Sequence, residues 1–277
     1  MIELEETRCP LCACHSSKLW GRENGYSMVK CRDCGLVYLN PRPTEASLRQ
    51  ARASGLHQTQ GGTLDASHVR SAGKIRAYQR ILARLIASER PVRWLDIGAG
   101  YGELLEAAQA VMPDHSSFLG TEPMQQKTQF CRSLGLSVTS QPLSSVKGTF
   151  DVITMFDVFS HLTDFREVLR DCRRLLSEDG KLLMKTGNGA ELASARDYPG
   201  PLELPDHMVF AGRSQLSAFF QEAGFNVQRI EEERIDTLLR VMKEIRRAVI
   251  GKPTRPVFPY SSAFRVLYVL ASPQTPE

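Results

Sequence analysis

Three absences bound the reading of this 277-residue chain. No stretch approaches the roughly 20 apolar residues of a membrane span. The start, MIELEETRCP, places acids where an export signal would have a basic segment and then an apolar one. No run of like charge stands out either: the net charge is +4 and the basic excess is spread along the chain. Without a polybasic tail, neither a nucleic acid nor a membrane is an expected partner. Hydrophobic content, at 42%, is by contrast ample for a core, and the length allows one large domain with a small appendage. The seven cysteines of a chain lacking an export signal point to thiols and metal ligation in a reducing compartment. The expected location is the cytoplasm.

The segment Leu95 to Gly102 reads LDIGAGYG. A short apolar run from Val92 ends in Asp96, and Gly98, Gly100 and Gly102 follow alternately, which is the signature of a buried strand turning sharply into a helix. Glycine accepts positive φ, and its missing Cβ leaves the backbone open to close approach by a small ligand. A dinucleotide fingerprint needs a third glycine one place later. Position 103 is Glu103, and an acid at a helix start repels a pyrophosphate. Asp96 and Glu103 together suit a ligand with a positive centre and an amino-acid tail. S-adenosylmethionine has a sulfonium, an ammonium, a ribose and no phosphate.

Cys9 and Cys12 form one CxxC knuckle, and Cys31 and Cys34 form another, followed by Gly35. Their separation suits a four-thiolate zinc site. Short strands at Lys18 to Trp20 and Ser27 to Lys30, around a turn at Glu23 to Gly25, complete the pattern of a zinc ribbon. In so short a segment the metal could supply most of the folding energy. All four positions are then filled by protein, so the ion is structural Zn²⁺. Cys14 and His15 remain alternative ligands.

The LDIGAGYG stretch resembles motif I of the class I S-adenosylmethionine-dependent methyltransferases. A cysteine ribbon ending in GLVYLNPRP, then a polar stretch, then motif I resembles bacterial members with an N-terminal zinc module, many of which act on sugars or other small metabolites. The resemblance implies an α/β, Rossmann-like fold: a seven-stranded, mostly parallel sheet with helices on both faces, plus the small ribbon. The expected segments are a ribbon at 1–43, a linker or lid at 44–66 and a methyltransferase domain at 67–277. It also implies that Glu122, after the run Phe118 to Gly120, grips the ribose hydroxyls, that Asp96 holds the ammonium side, and that Asp157 borders adenosine or acceptor. No acid stands at Ser140 to Leu143, where one often meets adenine.

The remaining pattern supports the same order of elements. Ser67 to Ser88 has helical apolar spacing with a basic face that is either solvated or near a phosphorylated substrate. Ala51 to Ala66 has no period and reads as a mobile connection. Asp164 to Leu176 is an amphipathic helix. Lys181 to Lys185, Phe225 to Glu231 and Phe264 to Ala271 read as strands, and Ser214 to Ala223 as a helix. Leu238 to Ile250 reads as a basic helical insert, facing solvent, a second copy or an anionic substrate. His161 is a base or a loop-orienting group. By resemblance, His207, in the long loop Thr186 to Arg213, approaches the acceptor as contact or general base, or else caps the following helix. Tyr101 faces the cofactor.

The expected activity is methyl transfer from S-adenosylmethionine to a small-molecule acceptor, a sugar or secondary metabolite. Two other classes remain open: a nucleic-acid methyltransferase using the ribbon for binding, and a noncatalytic cofactor-binding partner. A homodimer is compatible with the sequence.

Overall fold

The computed structural model describes residues 3–66, 69–251 and 260–274. Strand β1 (Leu4–Glu5) leads to a hairpin of β2 (Ser17–Glu23) and β3 (Tyr26–Cys31). Asn24 and Gly25 turn it with φ of 53° and 85°, the pair of positive values a tight hairpin turn demands. Next comes β4 (Val37–Leu39), which pairs with β3, and then β5 (Arg42–Pro43), which pairs with β1.

The stretch expected to be a linker is ordered. It forms α1 (Glu45–Ser54), capped by Gly55 at φ 76°, and a hairpin of β6 (Leu56–Thr59) and β7 (Gly62–Asp65). Its lack of period has a simple cause: α1 buries only Leu48, and His57 is the one buried residue of the hairpin. The entry helix is shorter than its spacing suggested: α2 spans Ala72–Leu85, and Ser67 lies outside the described residues.

From here strands and helices alternate: β8 (Arg93–Ile97), α3 (Glu103–Val111), β9 (Ser117–Thr121), α4 (Gln125–Ser133), β10 (Val138–Thr139), β11 (Phe150–Phe156), α5 (Phe165–Leu175) and β12 (Leu176–Gly187). After a long loop come β13 (Val209–Phe210), α6 (Arg213–Glu222), β14 (Phe225–Arg234), α7 (Leu238–Val249) and β15 (Arg265–Pro273). Seven strands form one sheet in the order β10-β9-β8-β11-β12-β15-β14. Only β15 runs against its neighbours; the pairs among β10, β9, β8, β11 and β12 are parallel. The expected turn before Lys181 is absorbed in β12 as an irregularity, where the register with β11 jumps between Phe150 and Val152.

Alternate residues of these strands enter two cores, as the pleat requires for a sheet covered on both faces. Trp94, Val152, Leu183 and Tyr268 pack with Ile75, Leu82, Leu104 and Leu105 of α2 and α3. Leu95, Ile153, Leu182 and Val269 pack with Leu169 and Cys172 of α5 and with Leu216 and Phe220 of α6. Asp164 starts α5 by accepting the Glu167 N–H at 3.1 Å.

The N-terminal cysteine segment is not an independent knob. Strand β13 pairs with β4, Val209 opposite Tyr38, so a strand from far along the chain completes the four-stranded sheet β13-β4-β3-β2. Cys9, Leu11, Cys31, Leu36 and Tyr38 belong to the same core as α5 and α6. Gln215 donates to the Cys34 carbonyl at 2.5 Å, Lys30 to the Ala190 carbonyl at 2.6 Å, and Arg166 to the carbonyls of Pro10 and Leu11. Burial thus holds this segment along with whatever its thiols bind.

Candidate functional site

Strands β8, β9 and β11 end on one edge of the sheet, where a cleft of about 1300 Å³ opens. Asp96, at the end of β8, is 2% exposed. The Thr154 hydroxyl accepts from the Trp94 indole at 3.0 Å and donates to Asp96 at 2.7 Å. Burial pushes the Asp96 carboxyl up to about 7, and the nearby charges of Glu122 and Glu103 add to the rise while Thr154 opposes it.

The glycine loop hangs from β9: the N–H groups of Gly98 and Ala99 both donate to the Thr121 carbonyl, at 2.8 and 2.9 Å. Gly98, Gly100 and Gly102 have φ of 71°, 55° and 81°. Their reasons differ, which amends the simple picture of three glycines baring backbone to a ligand. A Cβ on Gly98 would lie 2.4 Å from Val158, and one on Gly102 2.3 Å from Leu136, so packing within the protein already forbids both. A Cβ on Gly100 meets nothing within 4 Å; that residue lines the cleft and keeps its open face there. Glu122 closes the loop, accepting the Gly100 N–H and the Met124 N–H at 2.9 Å each. A carboxylate has lone pairs beyond these two. Glu103 accepts the Ser71 N–H at 3.0 Å and ties the approach to α2 onto α3.

Three further expected residues line this cleft. Asp157, at φ 58°, pairs with Lys185 at 2.5 Å. Tyr101 packs edge-on against Phe130, with the Lys127 ammonium 5.5 Å from its ring centre. His161 stands on a short turn after β11. The segment Ser140 to Leu143 also lines the cleft, without a carboxylate.

His161 has a partner the sequence reading missed. Its Nδ1 lies 3.1 Å from Asp206 Oδ1, and His57 Nε2, from the β6–β7 hairpin, lies 3.0 Å from the same oxygen. Burial alone would raise the Asp206 pKa, but hydrogen bonds from both imidazoles and their charge hold it well below the usual carboxylate range. Burial would likewise lower the His161 pKa; the Asp206 hydrogen bond and charge outweigh it and leave it raised. An ionised carboxylate only accepts, so His161 Nδ1 carries the proton and Nε2 is the basic atom. His57, His161 and Asp206 all line the cleft.

His207 does not line it. Its Nδ1 lies 2.8 Å from the Leu202 carbonyl, its ring is 4.8 Å from that of His161, and burial together with the His161 charge lowers its pKa to about 4. Of the two expected histidines, His161 is therefore the one the fold brings to the cleft, with Asp206 beside it in sequence to His207. The N-terminal hairpin fixes this loop. Glu23 accepts the N–H groups of Leu202 at 2.8 Å and Glu203 at 2.6 Å, and Asn24 donates to the Leu204 carbonyl at 2.8 Å.

The thiols of Cys9, Cys12, Cys31 and Cys34 gather within 4.8 Å of one another. Contacts cross between knuckles, Cys9 to Cys34 at 3.4 Å and Cys12 to Cys31 at 3.5 Å. These are too long for disulfides and near the edge of about 3.8 Å for four sulfurs tetrahedrally around zinc. Cys14 instead accepts the Ser16 N–H at 3.2 Å, and His15 is exposed; neither joins the cluster. None of the four clustered cysteines lines the cleft.

Comparisons with known proteins give the family and the fold. The family model described as "Methyltransferase domain" matches residues 67–230. A probable S-adenosylmethionine-dependent methyltransferase of Mycobacterium tuberculosis is 28% identical over 148 residues, covering 53% of this chain and 52% of that one. A ubiquinone biosynthesis O-methyltransferase of Pseudomonas aeruginosa is 29% identical over 151 residues, covering 49% of this chain and 65% of that one. The chain thus spans about half to two thirds of these relatives. Among solved structures, an S-adenosylmethionine-dependent methyltransferase from Mesorhizobium loti shares the fold with a TM-score of 0.51 at 16% identity, over 70% of this chain and 96% of that one.

Proposed function

This chain belongs to the methyltransferase-domain family with the Rossmann-like class I fold, and from that premise we propose that it transfers a methyl group from S-adenosylmethionine to a small-molecule acceptor, a sugar or secondary metabolite. The observation that carries the reading is one cleft holding two kinds of machinery. One end has a bare backbone with buried carboxylates, and the other has a histidine whose base is aimed by a buried acid.

The donor set suits the cofactor. Gly100 leaves room beside the backbone, Asp96 faces the ammonium side, Glu122 has acceptor capacity for ribose hydroxyls, and Tyr101 and Asp157 border the rest. Without a carboxylate at Ser140 to Leu143, backbone groups meet the adenine. When bound, the sulfonium supplies an electrophilic methyl carbon. The protein's share is alignment and proton removal. His161 Nε2 takes the acceptor's proton, and Asp206 holds Nδ1–H and stabilises the imidazolium that results. His57, bound to the same Asp206 oxygen, keeps that carboxylate in place. His207 acts through the Leu202 loop rather than on the acceptor.

Cys9, Cys12, Cys31 and Cys34 are proposed to hold a structural zinc ion. It would brace the sheet whose hairpin tip carries Glu23 and Asn24, and through them the loop bearing Asp206. Zinc has no part in the transfer.

The test pairs calorimetry with a transfer assay. Glu122→Ala and Gly100→Val should each weaken S-adenosylmethionine binding at unchanged metal content. Labelled methyl should pass to one of a set of sugar nucleotides and pathway intermediates. Unchanged cofactor affinity in both variants would remove the assignment of this cleft.

A further inference from the structure

Helix α7 buries none of its described side chains. Leu238, Met242, Ile245 and Val249 recur at steps of four, three and four, which aligns them in one stripe. All are exposed, from 55% for Leu238 to 80% for Val249. Single exposed apolar residues are ordinary, but an aligned stripe marks a surface meant to be covered. Charge says by what. Arg246 borders the stripe, and Arg240 and Arg247 lie on the opposite, polar face, where Glu244, the only acid of the helix, pairs with Arg247 at 3.6 Å. Lys243 belongs to the same helix, with its side chain outside the described residues.

Topology places the helix. Strand β15 is antiparallel to β12, with Val266 opposite Gly187, and β14 ends with Arg234 opposite Arg265. The β14–β15 connection therefore leaves the sheet on the edge where β8 and β11 end, the edge that carries the cleft. It also lies outside residues 67–230, so the shared family core does not account for it.

We propose that α7 is an interfacial anchor that seats this edge on the surface of an anionic lipid bilayer. Its 12 residues extend about 18 Å, short of the roughly 30 Å of a hydrocarbon core. Among the described residues no helix is long and apolar enough to cross a membrane. Lying flat, α7 puts its stripe into the headgroup and acyl boundary and Arg246, at the flank of the stripe, among lipid phosphates, while Arg240 and Arg247 stay on the water-facing polar side and add to the attraction of an anionic surface. A second copy of this chain fits worse. Stacking two such helices brings together two segments with the same basic excess, and a stripe of four side chains falls far short of the roughly 800 Å² per partner of a stable interface. Basic residues spread along the chain argued against a membrane at the level of composition; the helix gathers charge and apolar surface in one place.

Vesicle flotation of the full-length protein tests this. The chain should float with phosphatidylcholine vesicles containing about 30% phosphatidylglycerol, poorly with pure phosphatidylcholine, and less as salt is raised. The double variant Met242→Glu, Ile245→Glu should lower the partition coefficient by at least about tenfold, and Arg246→Gln by about fivefold. Both apolar positions are exposed, so melting temperature and S-adenosylmethionine affinity should stay unchanged. The proposal is overturned if the wild type fails to float with the anionic vesicles, or if the double variant floats as well as the wild type. A wild-type dimer that the double variant dissociates, without vesicle binding, overturns it in favour of self-association.

Discussion

Asp96→Asn, followed across pH, isolates the most perturbed carboxyl of the cofactor end. In the ligand-free protein Asp96 is protonated below about 7, whereas an unfolded-chain aspartate ionises near 3.9. The folded state thus binds the proton more tightly, and raising pH through that window costs stability, by up to about 4 kcal/mol before relaxation. Asparagine keeps an acceptor for Thr154 and removes the titration, so the variant's melting temperature should gain on the wild type as pH rises from 4 to 7. Cofactor binding shows the opposite slope. A cationic ammonium favours the ionised carboxylate, and the ionised fraction of a group of pKa about 7 rises about 15-fold between pH 5.5 and 7.0. Calorimetry with S-adenosylmethionine should show a wild-type affinity that strengthens by about that factor over the range, with proton release on binding. The variant should bind weakly at both values, with little slope. A wild-type affinity flat across this range, or a variant with the same slope, would refute the role given to Asp96.

Other outcomes separate the parts of the site. His161→Ala should lower kcat by about 10²- to 10⁴-fold with cofactor affinity unchanged, while His207→Ala should act mainly on stability. The acidic limb of the kcat/KM profile should lie above the usual imidazole value, since activity needs neutral His161 and its pKa is raised. Asp206→Asn should move that limb to lower pH, and an unmoved profile would detach this pair from proton transfer. Cys31→Ser should lower bound zinc, measured by emission spectrometry, and because the cysteine sheet holds the Asp206 loop, it should reduce turnover more than cofactor affinity. An unchanged metal-to-protein ratio would discard the ligand set.

Much of the cofactor end was legible as a string because its determinants are local. A strand, a turn and a helix start are contiguous, so Asp96 and the three glycines could be named from their order, and Glu122 from the family resemblance. The acceptor end was not. Asp206 stood beside the histidine that drew notice, and nothing in the string said that its carboxylate would turn to His161 instead. His57 gave no signal, in a hairpin with one buried residue. The two glycines that serve packing rather than ligand approach were also indistinguishable from Gly100, because Val158 and Leu136 come from other strands and loops.

Local chemistry alone determined the alternation of strand and helix, the pairing of the cysteine knuckles and the glycine turn, since propensity, periodicity and φ preferences act over a few residues. Only tertiary packing decided that Val209 completes the sheet of the cysteine segment, that Glu23 grips the loop near Leu202, and that His57, Asp206 and His161 meet. Such contacts join residues far apart in the chain, and burial energy, which has no sequence period of its own, selects them.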